Sequence, residues 1–212
     1  RRSSDLDMSV PQRQGDWWYY GRTVEGKNYG ISCRVPTADD PWTPPEVADD
    51  MPDEQVLLDV DELADGHEFF SLGASSVSTS GRLLAYSFDT EGSERFTMRI
   101  KNLETGELLD DQLDGVFYGA TWAGEDYLFY VRCDDAWRPH QIWRHKVGTA
   151  ADEDVLVYEE TDEKFGVGVG ADRAERFLMI VASSSLTSEY RVLDLDNPTG
   201  EFEVLWPRDA GI

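Results

Sequence analysis

The feature that most constrains this chain is a set of short strand-like runs that returns three times in one order. The first unit has an apolar run Leu83-Leu84-Ala85-Tyr86-Ser87, then an amphipathic run from Arg95 to Lys101. A turn at Glu104-Thr105-Gly106 leads to a more polar run from Glu107 to Leu113. The second has Tyr127-Leu128-Phe129-Tyr130-Val131, then His140 to His145, then Val155 to Tyr158. The third has Phe177 to Val181, then Glu189 to Asp194, then Phe202 to Trp206. The apolar runs start 44 and then 50 residues apart, at Leu83, Tyr127 and Phe177. A period of about 40–50 residues carrying several strands belongs to blades stacked around an axis.

Each apolar run follows a stretch of small residues: Gly73-Ala74-Ser75-Ser76, Gly119-Ala120-Thr121 and Gly166-Val167-Gly168-Val169-Gly170. Small side chains suit the innermost strand, where blades crowd towards the axis. Upstream, Asp16 to Tyr20, Asn28 to Arg34 and Gln55 to Leu58 read as three strands of an earlier blade. The Pro- and Asp-rich residues 36–54 read as an exposed loop. One short helix is expected at Asp59 to Gly66, with an acidic first turn and a closing glycine. The expected fold is all-β, a partial β-propeller of about three to four four-stranded blades. Residues 1–15 form a lead-in and 16–212 the propeller. Closing seven blades at this repeat length takes about 300 or more residues, so the blades are expected to form an open arc with exposed edges, and self-association through those edges is expected with it.

Charge narrows the partners. Nineteen Lys and Arg stand against 43 Asp and Glu, a net charge of -24. Such a surface repels phosphate backbones, which excludes nucleic acid, and attracts basic peptides. No apolar run approaches the roughly 18 residues of a spanning helix, so no membrane is expected. Cys33 and Cys133 lie a hundred positions apart without a CxxC partner and read as buried free thiols, which points to the cytoplasm.

Catalytic patterns do not emerge from the residues. There is no GxSxG, and Ser183-Ser184-Ser185 reads as a polar loop closing an apolar strand. His140 and His145, five apart on a strand, face opposite ways and make no metal pair. The glycines from Gly166 to Gly170 are followed by another strand rather than by the helix a phosphate loop needs. Asp110-Asp111, Asp134-Asp135 and Glu159-Glu160 read as turn and strand-end residues. Asp59, Asp61 and Asp65 lack the glycine and distal glutamate of a calcium loop. No cofactor is expected.

Several phrases carry a resemblance. They are Ser9 to Lys27, with Gln12-Arg13-Gln14-Gly15-Asp16-Trp17-Trp18-Tyr19-Tyr20 at its centre; Gly81 to Ser87; Arg138 to Thr149; and Asp152 to Glu160. Together they resemble the propeller of the prolyl oligopeptidase family of serine peptidases, in its oligopeptidase B branch. The resemblance implies a seven-bladed propeller capping an α/β-hydrolase domain with a Ser-Asp-His triad, which cuts short peptides after Arg or Lys while the propeller restricts access. That hydrolase domain is absent from this sequence, and the chain alone is expected to be non-catalytic. By the same resemblance Phe117, five before Trp122, matches an aromatic that lines a distal substrate pocket, and Glu94 an acidic residue near the domain interface. Two positions depart from the pattern: Thr79-Ser80 replaces a usual Pro-Asp, and Gly166 a usual Trp. Two other readings remain, a stand-alone acidic module that captures basic peptides and a propeller glycosidase.

Overall fold

The computed structural model describes residues 9–46, 48 and 51–209. It contains sixteen strands in four antiparallel sheets of four, each sheet a simple meander. The chain divides between Glu68 and Phe69 into two compact units.

The first unit holds β1 (Gln12–Gln14), β2 (Trp17–Arg22), β3 (Ile31–Pro36) and β4 (Gln55–Asp59), in that order across the sheet. The alternation of Trp18 and Tyr20 on β2 with Ile31, Cys33 and Val35 on β3 buries one face as a small core. Three strands were expected here and there are four, because β1 pairs Gln12, Arg13 and Gln14 with Tyr19, Trp18 and Trp17. Arg22 and Tyr20 both bond Glu54 and so anchor the end of the 36–54 loop, whose Trp42 is 78% exposed. The expected helix is α1 (Val60–Ala64), capped by the Asp59 carboxylate, which accepts from the amides of Asp61 and Glu62.

The second unit carries the three repeated sheets. The chain's second sheet is β5 (Ser71–Val77), β6 (Leu83–Asp89), β7 (Phe96–Asn102) and β8 (Leu108–Val116). The third is β9 (Ala120–Ala123), β10 (Tyr127–Cys133), β11 (Pro139–Lys146) and β12 (Val155–Glu159). The fourth is β13 (Gly166–Ala171), β14 (Phe177–Ser183), β15 (Ser188–Asp194) and β16 (Glu203–Trp206). Each begins with its small-residue strand, and β9 lies against both β5 and β13, so these three are the inner strands.

Period-2 alternation explains how the sheets stack. On β10, Leu128 and Tyr130 face the second sheet and join Phe96, Met98, Ile100 and Leu113. The intervening Phe129 and Val131 face the fourth sheet and meet Val167, Leu178 and Ile180. Burying side chains of this size contributes roughly 1.5–3 kcal/mol each. Side chains also tie the inner strands together, since Trp122 Nε1 donates to Ser76 O at 2.8 Å and Thr121 Oγ1 to Val169 O at 3.3 Å.

Other expectations are corrected. Asp111 lies within β8 rather than at a turn or strand end and is 5% exposed, whereas Glu160 stands just beyond the end of β12, as expected, and is 4% exposed. Cys33 is buried, whereas Cys133 is only half-buried. Both are free, and burial pushes each thiol up to about 11. The expected polar loop is present: Ser183 ends β14, and in the loop that follows Ser184 Oγ accepts from the amides of Leu186 and Thr187.

Candidate functional site

In every repeated sheet the turn from the second to the third strand lies at the same end as the crossing from the previous sheet into the inner strand. Antiparallel pairing forces this. Glu94 lies in the first of those turns, between β6 and β7, and Phe117 in the crossing between β8 and β9. Both expected site residues therefore belong to one end of the second unit.

Glu94 is exposed and adopts the left-handed backbone conformation, with φ 52°. What holds it there is Asp89, 3% exposed at the end of β6. Its carboxylate accepts from the amides of Glu91 (2.8 Å), Gly92 (3.1 Å) and Glu94 (2.7 Å). Phe117 is half-buried against the core between the third and fourth sheets, and its amide donates to Val131 O at 2.8 Å. Its ring meets Tyr118 edge-on at 5.0 Å, and Tyr118 lies 4.8 Å from Phe96. Through Tyr118, Phe117 reaches toward Phe96, two residues after Glu94 in the chain.

Sequence reasoning missed the neighbours that give this end its character. Arg95 places its guanidinium 5.1 Å from the Trp137 ring and 4.0 Å from Asp135, which joins the equivalent turns of the second and third sheets. Trp137 also has a left-handed backbone, φ 65°, in a turn that Asp134 organises by accepting from the amides of Ala136 and Arg138. A tryptophan beside Asp-Asp in a strand-to-strand turn was the available signal. Arg138 Nη1 donates to the carbonyls of Glu160, Asp162 and Phe165 at 3.0–3.2 Å and shapes the crossing into β13. Phe69, Tyr118 and Trp137 are each 40–46% exposed here.

Beside the third crossing, Arg208 stacks 4.1 Å from the Phe165 ring and bonds Glu160 at 2.5 Å and Glu189 at 3.3 Å. Burial pushes the Glu160 carboxyl up, but donation from Arg208, the Asp162 amide and Tyr158 outweighs it and holds the carboxyl below its ordinary value. The departure at Gly166 also acts here. A Cβ on Gly166 would lie 3.5 Å from Pro139 Cγ, so the space a tryptophan would need borders β11. The Thr79-Ser80 departure is compensated by buried Ser78, whose hydroxyl accepts from Leu83 N, and by Glu125, which accepts from Ser80 N.

This end offers aromatic faces and guanidinium groups bordered by carboxylates. Among the described residues no group of three or more His, Cys, Asp or Glu is placed to hold a metal ion, and no helix is long and apolar enough to cross a membrane.

Comparison with known proteins places these features in context. A family model described as the prolyl oligopeptidase N-terminal beta-propeller domain matches residues 1–211. The chain is 39% identical to dipeptidyl aminopeptidase BI of Pseudoxanthomonas mexicana, over 97% of its own length and 29% of that protein's. It is 34% identical to protease 2 of Moraxella lacunata, over 100% of its length and 30% of the relative's. Among solved structures it resembles oligopeptidase B of Leishmania major with a TM-score of 0.86 and 31% identity, covering 98% of this chain and 29% of that one. The chain thus spans about three tenths of the length of the relatives it matches.

Proposed function

We propose, from the premise that this chain belongs to the prolyl oligopeptidase N-terminal β-propeller family, that it is the amino-terminal part of the gating propeller of an oligopeptidase B-like serine peptidase. The carrying observation is the likeness to oligopeptidase B along nearly the whole chain. The substrates would be short peptides cut after Arg or Lys. The reaction would fall to a Ser-Asp-His triad on a hydrolase domain, which is the principal partner proposed for this chain. Within that reading Glu94 and Phe117 face the substrate or the domain interface, and the aromatic and arginine side chains around them extend the same surface. The two free thiols support a reducing compartment, the cytoplasm. Relatives that cover the whole chain carry peptidase names, which favours this reading over a stand-alone acidic module.

A chimera tests it. This chain replaces the corresponding 29% of Leishmania major oligopeptidase B. The chimera should cleave a fluorogenic arginyl amide and short basic peptides, and should spare the same site within a folded protein. The unfused chain should release no fluorophore. A chimera that folds but digests folded proteins freely would defeat the gating role, and turnover by the unfused chain would defeat the non-catalytic one.

A further inference from the structure

Asp111, His145 and Asp154 form an enclosed cluster for which the peptidase reading has no use. Asp111 lies on β8, the outer strand of the second sheet. His145 is on β11 of the third sheet, and Asp154 follows a short 3-10 turn at Ala151–Glu153. The His145 side chain is 0% exposed, and the two carboxylates are 3% and 1% exposed. His145 Nδ1 lies 2.6 Å from Asp154 Oδ1, and Nε2 lies 2.8 Å from Asp111 Oδ1. A neutral imidazole has one N–H, so its other nitrogen would aim a lone pair at a carboxylate oxygen inside this enclosed cluster. Protonated on both nitrogens, the ring makes two charge-assisted hydrogen bonds instead. The carboxylates are also occupied from behind: Asp154 Oδ2 accepts from the Tyr130 hydroxyl at 2.7 Å, and Asp111 Oδ1 from the Gly148 amide at 2.6 Å.

From this geometry we infer that His145 is a resident imidazolium that clasps the second sheet to the third, and that alkali loosens this seam by removing its proton. Every packed element contributes to the setting. Asp111 faces the ring from β8, Asp154 from the turn, and the Tyr130 hydroxyl stands behind Asp154 on β10. From β7, Arg99 donates to the carbonyls of Asp111 and Leu109 at 3.2 Å each. Asp110, Lys146, Asp152 and Glu153 point to solvent. Burial alone would disfavour the charged ring, but hydrogen bonds from the ring to Asp154 and Asp111 outweigh it and raise its pKa above the ordinary 6.5. A folded-state pKa raised above the unfolded value stabilises fully below about 6.5. That contribution is lost as pH rises through the folded value, so the loss lies on the alkaline side.

The test uses the 212-residue chain labelled with 15N-histidine. Its three histidines are assigned with His67→Gln and His140→Gln. Long-range 1H–15N spectra at pH 7.5 should show both His145 ring nitrogens protonated. Thermal melts from pH 7 to 9 should show Tm falling by several degrees, and His145→Gln, less stable throughout, should lose most of that slope. If His145→Gln does not fold, the wild-type spectrum alone decides. A single-tautomer neutral ring at pH 7.5, or equal slopes in the two proteins, would overturn the inference.

Discussion

Two glycines on inner strands show how local space separates similar residues. A Cβ on Gly73 would lie 2.6 Å from Phe96 Cδ1 and 2.7 Å from Ser87 Oγ, and Phe96 is only 1% exposed, so its ring has nowhere to go. Gly168, on the corresponding strand of the fourth sheet, has nothing within 4 Å. Gly73→Ala should therefore cost about 1–3 kcal/mol in urea unfolding. Gly168→Ala should be neutral or up to about 1 kcal/mol stabilising, since a strand glycine gives up more chain entropy than alanine. Asp89 offers a second contrast. Replacing it with Ala strands three amides, and Asp89→Ala should lower stability by about 1–3 kcal/mol and leave the turn that carries Glu94 open to early proteolysis. The sequence showed none of this burial. Asp111 follows another aspartate and looks like a solvated residue, and its reason for being inside is His145, 34 positions later.

At the level of strands and sheets, what could be read was what repeats. The three apolar runs are β6, β10 and β14, and Gly166–Gly170 falls within β13, because alternation and small-residue crowding are local signals. β1 escaped notice because Gln12-Arg13-Gln14 has no apolar alternation, and only pairing with Trp17 to Tyr19 makes it a strand. β8 runs three residues past its expected end, to Val116, because Val116 pairs with Phe96 of β7 and is buried in the same core, a partner that lies 20 positions away in the chain. Of the candidate site, Glu94 and Phe117 could be placed only by resemblance. Arg95 and Trp137 needed the fold, because 42 residues separate two side chains that stack. The seam between inner strands gives a prediction at this scale. Trp122→Phe keeps most of the buried ring but leaves Ser76 O without its donor. It should cost about 1–2 kcal/mol, read from chemical denaturation monitored by circular dichroism.

For the molecule as a whole, charge and uncovered apolar surface pull in opposite directions. A net charge of -24 repels itself and other copies, so raising NaCl from 20 to about 300 mM should increase Tm by several degrees in calorimetry. The same salt should promote association, because Leu186, Leu205 and Trp206 on the fourth sheet are 62–66% exposed. Sedimentation across a concentration series should show a mass that rises with salt, and Leu205→Lys with Trp206→Glu should abolish the rise. A monomer under all conditions would remove self-association as a property of this chain. Within the second unit the backbone ladders stop at the edge of each sheet, while neighbouring sheets are held by side chains such as Trp122, Thr121 and His145. Resistance to force is consequently directional. A load along the strands shears rows of amide bonds together, whereas one that peels an outer edge meets a few side-chain contacts at a time, so an optical trap pulling on the fourth sheet should record it tearing away as a discrete leaf before the second and third part.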